Sequence, residues 1–191
     1  MNSNDKNINS RTGAIFCGGQ SRRMGQPKAG VLLHDGKTLI EHVYNVLKIF
    51  CHEVVLVGHG QGVPESMKSL IRVEDNFKDC GPLGALEALL SSQINSEYIV
   101  LPCDVCQINE EVLDLLINSR AKRPVVITYN QTLEPLIGCY SSEILLTVRQ
   151  QIKASQLSMK VLLNKVGYSA VELPEDKKKC IRNVNYMEDI Q

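Results

Sequence analysis

The chain has 191 residues, of which 43% are hydrophobic and 22% charged, and its formal net charge is zero. This length and apolar fraction are typical of one globular domain with a full hydrophobic core. The balanced charge excludes a global electrostatic field that would draw the protein to nucleic acid or to a membrane surface, so anion binding must come from local clusters of basic residues.

The N-terminal segment, residues 1–11, is polar and has no apolar core of the kind that a signal peptide needs. It predicts a flexible N-terminus ahead of a single domain over residues 12–191. The seven cysteines are scattered through predicted core positions, which favours reduced thiols and a cytoplasmic location. Cys103 and Cys106 have C-x-x-C spacing, but the lack of a second such pair disfavours a zinc or redox centre.

Apolar runs alternate with amphipathic segments along the chain. Strands are predicted over residues 14–17, 53–57, 70–73, 98–101, 124–129, 136–140 and 170–173. Two helices are predicted over residues 144–152 and 159–166, the second of them after the N-cap Ser158. Three more are predicted from their starts, which are marked by the capping box of Thr38 and Glu41, by Pro82 and by the N-cap Asn109.

This order predicts a three-layer α/β/α, Rossmann-like domain with a mostly parallel twisted sheet. The connection between residues 129 and 136 is too short for a crossover helix, so these two strands are expected to be antiparallel. Ligands of such sheets bind outside the carboxyl ends of the strands. The loop at residues 18–28, Asp75 and Asp104 are all predicted to lie at that edge.

The loop after the first strand has the sequence GGQSRRMGQPK over residues 18–28. Three of its residues lack a Cβ and let backbone N–H groups approach a ligand closely: Gly18, Gly19 and Gly25. Three others are cations that suit phosphate oxygens: Arg22, Arg23 and Lys28. The spacing matches neither the dinucleotide fingerprint nor the P-loop, which excludes an NAD-dependent oxidoreductase. The loop therefore predicts polyphosphate binding, and a plain glycine-rich turn is the alternative.

Two further places at the same edge could contact a ligand. Asp104 follows a buried strand and is the best candidate to hold Mg²⁺, although it could instead cap the next turn. The helix that begins at Gly81-Pro82-Leu83 has no side chain at Gly81 or Gly84, so its first N–H groups could meet a ligand, unless it is a plain helix start. Residues 181–185 are predicted to return to the site.

The loop, read as G-G-x-S-x-R-M-G-x-P-K, resembles the signature of nucleotidyltransferases that join an NTP to a phosphorylated acceptor. Gly81-Pro82-Leu83 and Asn183-Val184-Asn185 narrow the resemblance to the molybdenum cofactor guanylyltransferases, the molybdopterin-guanine dinucleotide biosynthesis protein A family, with its nucleotide-diphospho-sugar transferase-like fold. The resemblance covers nearly the whole chain after the first dozen residues.

This resemblance implies a cytoplasmic, Mg²⁺-dependent enzyme that transfers GMP from GTP to the phosphate of molybdopterin or Mo-molybdopterin. It implies catalysis by Arg22, Lys28 and Asp104, Mg²⁺ at Asp104, and a pterin side formed by Asn183 and Asn185. The nucleotide-binding residues that it implies are Phe16, Cys17, Gly18, Gly19, Gly25, Lys28, Asp75, Gly81, Pro82, Leu83 and Asp104. Proteins of molybdenum cofactor biosynthesis and molybdoenzymes are the implied partners.

The choice of nucleobase depends on details of these motifs. The opening Gly18-Gly19 and the late Asn-Val-Asn are similar to the guanylyl branch, whereas Pro27 before Lys28 resembles the cytidylyl branch. A cytidylyltransferase, another NTP:phosphate-acceptor nucleotidyltransferase of the same fold, and a non-catalytic nucleotide-binding regulator therefore remain as alternatives.

Overall fold

The computed structural model describes residues 11–18, 27–119, 124–184 and 189. Within them, one mixed sheet has the strand order β3-β2-β1-β4-β6-β5-β7. Strand β6 is antiparallel to β4 and β5, and all the other neighbouring pairs are parallel. The predicted mostly parallel sheet with an antiparallel strand is confirmed. The strands are β1 Thr12–Phe16, β2 Glu53–Val57, β3 Arg72–Val73, β4 Glu97–Pro102, β5 Val125–Tyr129, β6 Thr132–Ser141 and β7 Ser169–Glu172.

The helices begin at the predicted positions, except that the helix predicted from residue 144 begins at Leu145. Thr38 and Glu41 form the capping box, in which the Glu41 N–H donates to Thr38 Oγ1 at 3.3 Å and the Thr38 N–H donates to Glu41 Oε2 at 2.9 Å. Asn109 and Ser158 cap their helices in the predicted way. The α-helices in the described part of the chain are α1 Leu39–Phe50, α2 Gly81–Ser91, α3 Glu110–Asn118, α4 Leu145–Lys153 and α5 Met159–Val166.

The helices cover both faces of the sheet, as a three-layer fold requires. Strand β1 alternates between two hydrophobic clusters: Ile15 belongs to the cluster that contains α1 and α3, and Ala14 to the cluster that contains α2, α4 and α5. Because both faces of the parallel strands are buried, their sequences are continuous apolar runs. No helix in the described ranges is long and apolar enough to cross a membrane.

Five strands differ in length from their predictions: β1, β3, β4, β5 and, most of all, β6. Strand β6 has ten residues and begins at Thr132, because Asn130 and Gln131 form a two-residue hairpin turn with positive φ angles of 46° and 63°. Strand β3 covers only Arg72–Val73, where the sequence predicts residues 70–73. It is an edge strand that pairs on one side only, with β2.

Residues 1–10 of the predicted flexible N-terminus lie outside the described residues, and the single-domain assignment of residues 12–191 stays a prediction.

Candidate functional site

The carboxyl ends of β1, β2 and β4 meet at one edge of the sheet. Hydrogen bonds of the parallel ladder continue one residue beyond the strands, since the Cys17 N–H donates to the Val57 carbonyl at 2.9 Å and the Cys103 N–H donates to the Phe16 carbonyl at 3.1 Å. The loops that follow these strands therefore start side by side. This is the edge at which ligands of such sheets bind.

Lys28 and Asp104 come together at this edge. Lys28 Nζ donates to Asp104 Oδ2 at 2.8 Å, and the two side chains are only 20% and 17% exposed. Pro27 is extended, with φ −61° and ψ 126°, and a short 3₁₀ turn begins at Lys28. Asp104 lies in the turn directly after β4. The fold thus pairs a cation and a carboxylate that are 76 residues apart in the chain.

The loop after β2 packs against both described ends of the first loop. A Cβ on Gly58, whose φ is +95°, would lie 2.9 Å from Gly18 Cα. A Cβ on Gly62, whose φ is +78°, would lie 2.6 Å from Pro27 Cβ. No role is predicted for this loop from the sequence. The recurrence of glycine at positions 58, 60 and 62, directly after a buried strand, is the signal that could have identified its role.

Asp75 lies in the segment after β3, as predicted, and one oxygen of its carboxylate is buried. Among the described residues, Asp75 Oδ1 is buried without a hydrogen-bond partner. Burial raises the pKa of Asp75, and His59 opposes this with a smaller effect. Because an unsatisfied buried oxygen is costly, this atom is a candidate acceptor for a ligand's hydrogen bond.

The two glycines at the start of α2 have different surroundings. The space around Gly81 is open, which keeps its neighbourhood accessible. The Gly84 N–H, however, donates to the Cys80 carbonyl at 3.3 Å, and a Cβ on Gly84 would lie 2.9 Å from Cys80 Cβ. Gly84 therefore packs the first turn of the helix against the preceding segment, and ligand binding by the first N–H groups of the helix stays a prediction.

Three residues assigned to nucleotide binding have buried side chains: Phe16, Cys17 and Leu83. They belong to the clusters on the two faces of the sheet, so any contact with a nucleotide would come from their backbone groups. Pro82 is exposed in the first turn of α2.

The cysteine thiols at this edge have raised pKa values. Burial raises the pKa of the Cys17 thiol, and Arg72 lowers it by less. The pKa of Cys103 is also raised, first by burial and then by the neighbouring Asp104 carboxylate. Since the thiolate is the nucleophilic form, neither residue is suited to covalent catalysis. Cys103 and Cys106 lie in a turn.

The C-terminal segment returns to the site, as predicted. Asn183 pairs with Val105 in an antiparallel bridge, and the Val184 N–H donates to the Asp104 carbonyl at 2.8 Å. Next to Asn183 is a cavity of about 680 Å³, whose charged lining has three basic and two acidic residues. Its lining residues are Glu134, Lys178, Lys179, Ile181, Arg182, Asn183 and Asp189.

The donors present fit a magnesium ion better than a transition metal. No group of three or more His, Cys, Asp or Glu side chains arranged to hold a metal occurs in the described part of the chain. The Asp104 carboxylate is the hard oxygen donor that Mg²⁺ prefers, and Mg²⁺ is usually held by one or two carboxylates together with substrate phosphates and water. Asp104 alone would therefore suffice as the protein ligand of Mg²⁺, with substrate phosphates and water as the other ligands.

Four residues of the predicted site lie outside the described residues: Gly19, Arg22, Gly25 and Asn185. Their assigned roles stay predictions.

Comparisons with known proteins identify relatives that cover most of this chain. The chain is 28% identical over 178 residues to a Flavobacterium johnsoniae protein named "Probable molybdenum cofactor guanylyltransferase", covering 92% of each chain. It is 29% identical to an Aquifex aeolicus protein of the same name, covering 93% of this chain and 87% of the relative.

A solved structure shares the fold. The molybdopterin-guanine dinucleotide biosynthesis protein A of Archaeoglobus fulgidus superposes with a TM-score of 0.75 at 21% identity, covering 94% of each chain. The profile of the MobA-like NTP transferase domain matches residues 13–168, which include the first loop, Asp75, α2 and Asp104. The chain therefore belongs to the MobA-like NTP transferase domain family and is a nucleotidyltransferase.

Proposed function

We propose that this protein transfers GMP from GTP to the phosphate of molybdopterin or Mo-molybdopterin, with release of pyrophosphate. The observation that carries the proposal is the 2.8 Å contact between Lys28 Nζ and Asp104 Oδ2 at the carboxyl edge of the sheet. The curated relatives are named for this activity, which supports the choice of nucleotide and acceptor.

The reaction places the α-phosphorus of GTP between an attacking oxygen of the acceptor phosphate and the departing pyrophosphate. Negative charge accumulates on the phosphoryl oxygens and on the leaving group, so fixed cations accelerate the step. Lys28 would supply one such cation, oriented by Asp104. Mg²⁺ held by Asp104 would neutralise phosphate charge.

The acceptor would bind on the side of Asn183, in the cavity of about 680 Å³ described above. Its basic residues, Lys178, Lys179 and Arg182, suit a substrate that carries a phosphate. The antiparallel bridge between Asn183 and Val105 keeps this cavity next to the Asp104 turn. The two substrates would thus approach the same carboxylate from different sides.

The decisive experiment incubates the protein with MgCl₂, GTP and molybdopterin and measures pyrophosphate together with the dinucleotide product. CTP is the paired control, because Pro27 before Lys28 is similar to the cytidylyl pattern. We expect product with GTP at a rate at least about tenfold above that with CTP. Product with CTP alone would reassign the nucleotide, and nucleotide binding without product would favour the non-catalytic regulator.

A further inference from the structure

Helix α2 carries one charged residue, Glu87, and buries it. Residues 83–90 of this helix are all buried, and Glu87 is 1% exposed. Its Oε1 accepts hydrogen bonds from Ser91 Oγ and Arg149 Nε, both at 2.7 Å. Its Oε2 accepts one from Asn76 Nδ2 at 2.9 Å. The carboxylate is therefore held by three different segments of the protein.

These contacts keep Glu87 charged. Burial by itself raises its pKa, but the hydrogen bonds from Ser91, Asn76 and Arg149 outweigh burial and hold the pKa below its ordinary value. Replacing a buried ionic network by apolar residues of similar volume is often neutral or stabilising. Stability of the fold is therefore a weak reason for a carboxylate at this position.

The hydrogen bond from Asn76 to Glu87 Oε2 indicates a different reason for a carboxylate at this position. Asn76 directly follows Asp75, in the segment that joins β3 to α2. Hydrogen bonding to Glu87 ties this segment to α2, and through Arg149 it ties the segment to α4. Asp75 itself has a buried Oδ1 that no described group satisfies. The network thus fixes the position of Asn76, next to Asp75. The buried Oδ1 of Asp75 could still accept a hydrogen bond from a ligand.

We propose that Glu87 is a positioning residue, which acts through Asn76 to aim the Asp75 carboxylate at the nucleoside of the bound nucleotide. This inference rests on the proposed function, because it takes a nucleoside triphosphate as the ligand. Ribose hydroxyls and base N–H groups are the donors that a nucleoside offers, and a carboxylate accepts them in charge-assisted hydrogen bonds. Such bonds depend steeply on distance and angle, so the placement of the segment controls affinity.

The test compares E87Q, N76A and S91A by the dissociation constant for GTP in the presence of MgCl₂, measured calorimetrically, and by the free energy of unfolding. S91A is the matched control, because it removes a hydrogen bond to the same carboxylate but does not touch the segment that carries Asp75. We expect E87Q and N76A to weaken GTP binding about tenfold, the effect of one impaired charged hydrogen bond. S91A should stay within about twofold of the wild type despite lower stability.

A double-mutant cycle with D75A separates positioning from a general structural effect. If Glu87 acts through Asp75, adding E87Q to D75A causes no further loss of GTP affinity. Equal losses in both backgrounds, or a loss in S91A as large as that in N76A, would overturn the inference. If E87Q fails to fold, the dissociation constant of N76A for GTP still tests the inference. Wild-type protein that does not bind GTP would remove the proposed function, whereas tight binding unaffected by N76A would remove only this inference.

Discussion

Lys28 and Asp104 are the residues on which the proposed chemistry depends. Their ion pair is largely shielded from water, so it is less screened by salt than a pair on the surface. In the absence of a nucleotide each side chain neutralises the other. A bound triphosphate would offer Lys28 a further anionic partner, while Asp104 would hold Mg²⁺.

Removing either charge should abolish most of the activity. We expect K28A and D104N to lower kcat/KM for GMP transfer by about 10²- to 10³-fold, because each removes a group that stabilises charge in the transition state. D104N should also lose the dependence of the rate on Mg²⁺ concentration. Steady-state assays across a MgCl₂ series measure both effects.

The control for these variants is K37A. Lys37 forms an exposed ion pair with Asp35 at 3.3 Å, in a turn that is not part of the site. K37A should therefore retain the wild-type rate. Wild-type rates in K28A and D104N would contradict the roles assigned to both residues.

At the scale of elements, the loop after β2 packs against the described ends of the first loop, Gly18 and Pro27. Gly62 contacts both Pro27 and Gly30, the residues on either side of Lys28 and Ala29. A glycine is required here for two reasons, since its φ is positive and the space for a Cβ is occupied by backbone and by the proline ring. The loop after β2 is thus a support for Lys28.

A comparison of G62A with G36A should separate the cost of the positive φ angle from the cost of the steric clash. G36A is the matched control, because Gly36 has a φ of +81° but nothing lies within 4 Å of an added Cβ. We expect G36A to cost about 1 kcal/mol of unfolding free energy and G62A about 3 kcal/mol, since only G62A adds a steric clash to backbone strain. Urea denaturation measures both values.

The same variants should differ in ligand binding. G62A shifts the chain at Pro27 and should reduce the thermal stabilisation produced by GTP, whereas G36A should leave it unchanged. Equal destabilisation by G62A and G36A would show that the contact with Pro27 has no energetic role.

At the scale of the whole molecule, two carboxylates with lowered pKa values, Glu41 and Glu87, predict how their contribution to stability depends on pH. Burial raises the pKa of Glu87, but its hydrogen bonds outweigh burial and lower the pKa below the ordinary value of 4.5. The pKa of Glu41 also lies below 4.5, chiefly because its carboxylate accepts a hydrogen bond from the Thr38 N–H. A carboxylate whose pKa is lower in the folded state stabilises the fold above its unfolded pKa, and this stability is lost as pH falls through the folded value.

The contributions of Glu41 and Glu87 to the free energy of unfolding should therefore decrease as pH drops below about 4.5, where these two groups bind more protons in the unfolded chain than in the native protein. E87Q cannot take up this proton, so its stability should fall less steeply over the same range. Denaturation curves at a series of pH values from 6 to 3 test this. Parallel slopes for the wild type and E87Q would show that Glu87 does not contribute to acid unfolding.

The sequence by itself determined the features that depend on neighbours in the chain. The capping box of Thr38 and Glu41 and the N-cap Ser158 involve partners three residues away, and the antiparallel pairing of β5 with β6 follows from a connection too short for a crossover helix. Apolar periodicity predicted the buried strands, since strands covered on both faces are apolar throughout. The position of the Gly18 loop, Asp75 and Asp104 at one edge followed from the rule for parallel sheets.

Only the tertiary structure decided which distant groups touch. The Lys28–Asp104 ion pair, the packing of Gly62 on Pro27 and the Arg149–Glu87 contact join residues that are 76, 35 and 62 positions apart. No local pattern encodes such contacts, because they depend on strand order and on how helices pack across the sheet. Glu87 is the clearest case: in sequence it is one carboxylate in a leucine-rich helix, and its partners come from two other segments of the fold.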